Sequence, residues 1–202
     1  MFIGVDYLIL CDTVNRYGVK IVGIDYSMTC PAVTMMFGGG FETLCHYVSP
    51  TKKSEVKGGV TGFAWQGDRL HEYQSPEGRF HALSSWALPL CLGADHIFLE
   101  DYAMGAKGRV FHIGENAGVL KHKLWSNGLP FTLVSPTALK KYATGKGNAD
   151  KCAMIEAFKE KTKIDLASVM GIGNCGSPLS DVIDSWFLAD YGRFVTKTEP
   201  YC

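Results

Sequence analysis

Four carboxylates stand where a site built on the end of a β-sheet would need them. Asp25 closes a β-rich run, Lys20–Tyr26 (KIVGIDY), and small or polar residues, Ser27 and Thr29, follow it. Glu100 closes a second run, Ala94–Glu100 (ADHIFLE), two residues after Phe98 and therefore on the same strand face. Asp181 and Asp184 lie three apart in a helical stretch, so both side chains leave one face. Each has an ordinary explanation: a turn former, a solvated strand end, or acids favoured by a helix dipole. Together they make a hard-oxygen set suited to Mg²⁺ or Mn²⁺ and unsuited to zinc. Carboxylates brought that close repel one another unless cations lie between them. The chemistry such a set supports is metal-assisted hydrolysis of an anionic ester.

Other acids compete for these places. Gly4-Val5-Asp6-Tyr7 nearly duplicates Gly23-Ile24-Asp25-Tyr26, but bulky Leu8, Ile9 and Leu10 follow Asp6 and would continue a core element. Asp25 is the better candidate. Asp101 rivals Glu100, although alternation along a strand puts it on the opposite face. Asp95 and Asp190 read as solvated surface.

The elements that must position the acids can be read from period and punctuation. Lys20–Tyr26, Ala32–Phe37 and Glu42–Val48 are strands with short connections, which predicts an antiparallel meander. Residues 49–74, rich in Gly, Lys and polar side chains, read as a long loop or insertion. Ser75-Pro76 predicts a capped helix running to about Leu92. Ala94–Glu100 and Pro130–Val134 are further strands, with a helix over Asn116–Trp125 between them. Ser135-Pro136 opens a short helix through Lys141, Asn148 can cap one through Phe158, and Ser177-Pro178 opens a last one to about Tyr191. The order favours an α/β domain on a mixed five-stranded sheet, its first three strands antiparallel. Residues 1–19 are expected to be an N-terminal extension, 20–192 the domain, and 193–202 a C-terminal tail.

Composition narrows the class. The 202 residues are 47% hydrophobic and carry twenty basic against twenty acidic side chains, which excludes a disordered charged-tail protein. The neutral total hides a segregation. Residues 101–163 hold eleven Lys/Arg against five acids, a local +6 that leaves −6 elsewhere, so one surface can attract a polyanion. Gly145-Lys146-Gly147 would let backbone approach a phosphate, with amide donors added at Asn148. The seven cysteines are widely spaced and form no C-x-x-C, so reduced, buried thiols are expected. No apolar run approaches the roughly 18 residues of a membrane span, and the start of the chain lacks a basic n-region. No membrane association is expected, and a cytoplasmic location is.

Four stretches carry a family resemblance: GIDYSMTCPAV (23–33), IFLEDYAMGAKGRVFHIGENAGVL (97–120), VSPTALKKYATGKGNADKCAM (134–154) and LSDVIDSWFLADY (179–191). They resemble the RuvC-type Holliday junction resolvases, most closely the divergent RuvC-like resolvases of bacteriophages. In that case the cytoplasm would be that of a bacterial host cell. The resemblance implies an RNase H-like (RuvC-like) fold with helices on both faces of the sheet. It implies a homodimer acting on four-way or branched DNA, no nucleotide cofactor, and two Mg²⁺ or Mn²⁺ ions per site held by Asp25, Glu100, Asp181 and Asp184. It places Lys140 and Lys151 near junction phosphates, and Lys146, Lys107 and Tyr102 complete the expected DNA-binding set. The chain departs from the family at Ala117, where a basic residue is frequent, and at Tyr102 and Met104, where a stacking aromatic is offset or absent.

The activity implied is a structure-selective endodeoxyribonuclease making paired nicks with 5′-phosphate and 3′-hydroxyl ends. The rivals are a nuclease of the same fold acting on other branched or flap DNA, and a catalytically silent junction-binding protein.

Overall fold

The computed structural model describes residues 18–38, 42–49, 51–70, 73–101, 110–173 and 175–198. Tyr102, Lys107, nearly all of the expected N-terminal extension, Cys11 and Cys202 lie outside them.

Three strands form as their composition requires: β1 (Lys20–Asp25), β2 (Ala32–Phe37) and β3 (Glu42–Val48). Every residue of β1 and β2 is buried, as suits near-continuous apolar runs covered on both faces. The pairings β1–β2 and β2–β3 are antiparallel, the expected meander. The stretch 49–74 is not a loop. It contains a 3₁₀ turn at Lys52–Ser54 and two strands, β4 (Lys57–Val60) and β5 (Phe63–Asp68). A Thr61-Gly62 turn, with Gly62 at φ 80°, joins them. β5 buries Phe63 and Trp65 and pairs in parallel with β3, so the Gly-rich composition concealed an apolar face of period two.

With β6 (His96–Glu100) and β7 (Phe131–Val134), the sheet has, among the described residues, seven strands rather than five, in the order β4-β5-β3-β2-β1-β6-β7. One row of register partners crosses it. Asp25 stands opposite Ala32, Ala32 opposite Tyr47, and Tyr47 opposite Gly67. On the other side, Ile24 aligns with Leu99, which brings Glu100 beside Asp25.

Helices cover both faces, as the motifs implied. On one face, α1 (Pro76–Cys91) and α2 (Val110–Ser126) bury Leu83, Leu90, Leu120 and Leu124 against Val22, Ile24 and Leu99. Ser75 caps α1, its Oγ accepting from Gly78 N, as Ser-Pro predicts. α2 begins six residues before Asn116. On the other face lie α3 (Pro136–Thr144), α4 (Lys151–Thr162), α5 (Leu166–Met170) and α6 (Leu179–Thr198). Their cap residues differ in part from expectation. Asp150, not Asn148, caps α4 by accepting from Ala153 N, and α5 was not anticipated. α6 takes in residues 193–198, expected to belong to a tail.

α6 lies directly on the sheet because two glycines let it. A Cβ on Gly23 of β1 would collide with the backbone of Ser185 and Ala189, and one on Gly192 would collide with the Phe98 ring. The apolar residues α6 buries, among them Val182, Ile183 and Phe187, stabilise the contact by about 1.5–3 kcal/mol each.

Asp95 is exposed, as expected, and its Oδ2 accepts from Lys20 N, while Lys20 Nζ donates to the terminal carbonyls of Leu90 and Leu92. Two further expectations are corrected. Asp190 accepts from Tyr142 Oη at 2.7 Å and pairs with Lys161. The cysteines are not all thiols. Cys152 and Cys175 form a disulfide, joining the first turn of α4 to the segment before α6, while Cys30, Cys45 and Cys91 are free and buried.

Candidate active site

Each of the four acids ends up at one edge of the sheet for a local reason. Asp25 is the last residue of β1 and Glu100 the last of β6, and these neighbouring parallel strands end together. α6 runs antiparallel to β1, with Gly192 over Ile21 and Phe98 and the Ser185 backbone over Gly23. Its first two turns, with Asp181 and Asp184, therefore overhang the end of β1. The helix dipole favours Asp181 there. Asp25 and Asp181 are buried, at 8% and 6% exposure, and Glu100 and Asp184 are half-buried.

The four carboxyls act on one another through their charges. Burial, then the charges of Glu100, Asp181 and Asp184, push Asp25 well above the carboxylate range, and Lys151 opposes them. Burial and Asp184 lift Glu100 to about 7, with Lys140 pulling the other way. Burial and Asp181 lift Asp184 to about 7 against Lys151 and Lys140. Burial raises Asp181 as well, opposed by hydrogen bonds and by Lys151.

Two lysines thus face the acids. Lys151, at the first position of α4, donates from Nζ to Ser180 Oγ at 3.2 Å, and Ser180 Oγ donates to Asp181 Oδ2 at 3.3 Å. Lys140 of α3 acts on Glu100 and Asp184 through its charge. Lys146 is exposed. The glycines flanking it serve the fold. Gly145 takes the left-handed C-cap of α3 at φ 78°, and a Cβ on Gly147 would press to 2.7 Å from Thr137 Cγ2. Asn148 heads no helix. Two buried groups at the site carried no signal in the sequence. Ser180 is one. Cys30 is the other, its thiol lifted by burial and then by the charges of Asp181 and Asp25; neither residue type marks a site by itself.

The donors are hard carboxylate oxygens under mutual repulsion, the condition a divalent cation relieves. By chemistry the set fits Mg²⁺ or Mn²⁺. Among the described residues no three such groups are spaced as a formed metal centre, so the acids are a charge-coupled cluster rather than a closed ligand shell.

Solved structures resemble most of this architecture. The chain superposes on a Thermus thermophilus RuvC structure with a TM-score of 0.55 at 14% identity, covering 89% of this chain and 96% of that one. It superposes on T. thermophilus RuvC in complex with a Holliday junction substrate with a TM-score of 0.58 at 13% identity, with the same coverage. The chain has the RuvC fold. The RuvC likeness runs nearly end to end. At this identity the likeness concerns the fold, and no protein-family model and no curated protein matches the chain. No helix among the described residues is long and apolar enough to cross a membrane.

Proposed function

We propose that the chain is a divalent-metal-dependent endodeoxyribonuclease that resolves four-way DNA junctions, like the phage RuvC-type enzymes its motifs resemble. The observation that carries the reading is the cluster of Asp25, Glu100, Asp181 and Asp184 at one sheet edge of a RuvC fold, faced by Lys140 and Lys151. That the neighbouring RuvC was solved with a Holliday junction substrate supports the choice of DNA.

Asp25, Glu100, Asp181 and Asp184 would hold two Mg²⁺ or Mn²⁺ ions. Bound there, the ions would acidify the attacking water and stabilise the leaving 3′ oxygen. The chain's own groups do the rest. Lys151 and Lys140 draw a phosphate toward an otherwise anionic edge. Ser180 holds Lys151 and Asp181 in fixed relation, so that charge is pre-positioned rather than recruited. Lys146, exposed on the turn after α3, would meet backbone farther from the scissile bond. The products would be nicks with 5′-phosphate and 3′-hydroxyl ends.

Paired nicks on opposing strands require two sites, and α2 offers a surface for a symmetric partner. Phe111 and Trp125 are 84% and 72% exposed. They share a helical face with Gly114 and Gly118, where an added Cβ would meet nothing. A second copy packing there would cover the aromatics over a close helix approach.

The test is cleavage of a synthetic four-way junction, a Y-fork and a linear duplex, with and without Mg²⁺, mapping the nicks. Symmetric nicks in the junction alone support the reading. Equal cutting of all three makes the chain a general branched-DNA nuclease, and binding without cutting makes it a junction-binding protein.

A further inference from the structure

The hairpin that the sequence concealed puts a second group of cations on the edge of the sheet that carries the acids. β1, β3 and β5 all end on that edge, because β2 reverses direction between β1 and β3 and β5 runs parallel to β3. Lys52 and Lys53 lie in the 3₁₀ turn, four and five residues past the end of β3, and Arg69 directly follows β5. All three are exposed, and among the described residues none makes an ion pair. Their supports are ordered. Ser49 N donates to Asp68 O at 2.8 Å, tying the two strand ends together. Ser49 Oγ donates to Thr51 O, and Glu55 N donates to Lys52 O, closing the turn.

Four cationic side chains in residues 49–70, Lys52, Lys53, Lys57 and Arg69, outnumber two acids, Glu55 and Asp68, of which Glu55 is exposed. The Asp68 carboxylate is engaged by His46 Nδ1 at 2.9 Å, Trp86 Nε1 at 2.9 Å and Gln66 Nε2 at 2.8 Å.

We infer that Lys52, Lys53 and Arg69 form a second phosphate-binding surface, which holds a duplex arm of the DNA to one side of the cut. Adjacent strands lie about 4.8 Å apart. β3 and β5 stand two and three strands from β1, so the strand ends that lead into these cations lie about 10–14 Å along the edge from Asp25. At roughly 3.4 Å per base-pair step, that is about three to four steps from the scissile phosphate. Lys57 is a built-in control. It lies on the outermost strand, paired with Gln66, so alternation turns it to the face opposite the one Asp25 shares with Tyr47 and Gly67.

The inference rests on the proposed function, and its test separates the two. The full chain carrying Asp25→Asn, with and without Lys52→Ala, Lys53→Ala and Arg69→Ala together, is titrated against a four-way junction over a range of salt. The triple change should weaken binding at least tenfold near 100 mM salt. It should also flatten the slope of log affinity against log salt by about 2–3, near 0.9 for each phosphate no longer neutralised. Lys57→Ala should leave both unchanged, and melting temperatures should agree. Methylphosphonates three to four steps from the nick should weaken the parent and not the triple variant. A parent that binds equally well without the three cations, or that depends as much on Lys57, overturns this inference alone. A parent with no salt-dependent junction binding overturns both.

Discussion

Lys151 and Asp181 are joined through one hydroxyl: Lys151 Nζ donates to Ser180 Oγ at 3.2 Å, and that oxygen donates to Asp181 Oδ2 at 3.3 Å. A cation on one helix is thereby held against an acid on another, with Ser180 itself buried. The link fixes where positive charge sits beside four carboxylates that would otherwise repel an incoming phosphate.

Removing Asp25's charge separates chemistry from binding. Asp25→Asn should lower junction nicking by roughly 10²–10³-fold, the scale of losing one key electrostatic group. Junction affinity, read by gel shift in EDTA, should hold or improve. Cleavage at the parent rate in Mg²⁺ would refute the role given to Asp25.

Lys151→Ala should weaken junction binding and reduce the salt slope by about 1, with the fold intact by circular dichroism. Ser180→Ala should slow nicking about fivefold, near the 1 kcal/mol of a lost hydrogen bond, and Ser180→Thr should restore most of it. Unfolding of Lys151→Ala would make the lysine structural instead.

The acids set a pH dependence in the metal-free protein. Glu100 and Asp184 have folded-state values near 7, above those of an unfolded chain. A raised value favours the protonated fold, so this stability is full below about 4 and is lost as pH rises through about 7. Melting in EDTA should therefore be higher at pH 5 than at pH 8, by about 2–4 °C for each kcal/mol involved. Mg²⁺ should recover more stability at pH 8 than at pH 5. A flat profile in EDTA would contradict the clustering.

The Cys152–Cys175 bond closes a separation of 23 residues, worth about 3 kcal/mol in chain entropy. A reductant should lower the melting temperature by about 6–12 °C. A chain carrying Cys152→Ser and Cys175→Ser should melt at the lower temperature and ignore reductant. No response of the parent would remove the bond from the account.

Phe111→Ser with Trp125→Ser should shift a dimer toward monomer in sedimentation and, by separating the two sites, uncouple the paired nicks. Intact dimers in this variant would move the interface away from α2.

Much of the cluster could be read without coordinates, because its signals are local. A strand that ends in Asp after a glycine, a strand that ends in Glu, and two Asp on one helix turn are each a few residues long. Ser75 and Ser135 likewise mark their helices through the residue that follows and a backbone amide three positions on. The residues alone therefore singled out the four acids and the alternation of strands and helices, and the motif resemblance supplied the two lysines and the RuvC-like fold.

Tertiary structure decided whatever depends on partners far along the chain. β5 is a strand because β3 offers it a parallel edge and Tyr47 fills the space over Gly67, a pairing that residues 49–74 do not announce. Asp190 leaves the solvent because Tyr142 and Lys161 arrive from other helices. Cys152 meets Cys175 because α4 begins beside the segment that leads into α6. Contacts within a turn follow from neighbouring residues, whereas contacts across the sheet repay their loop-closure entropy only once the whole chain has folded.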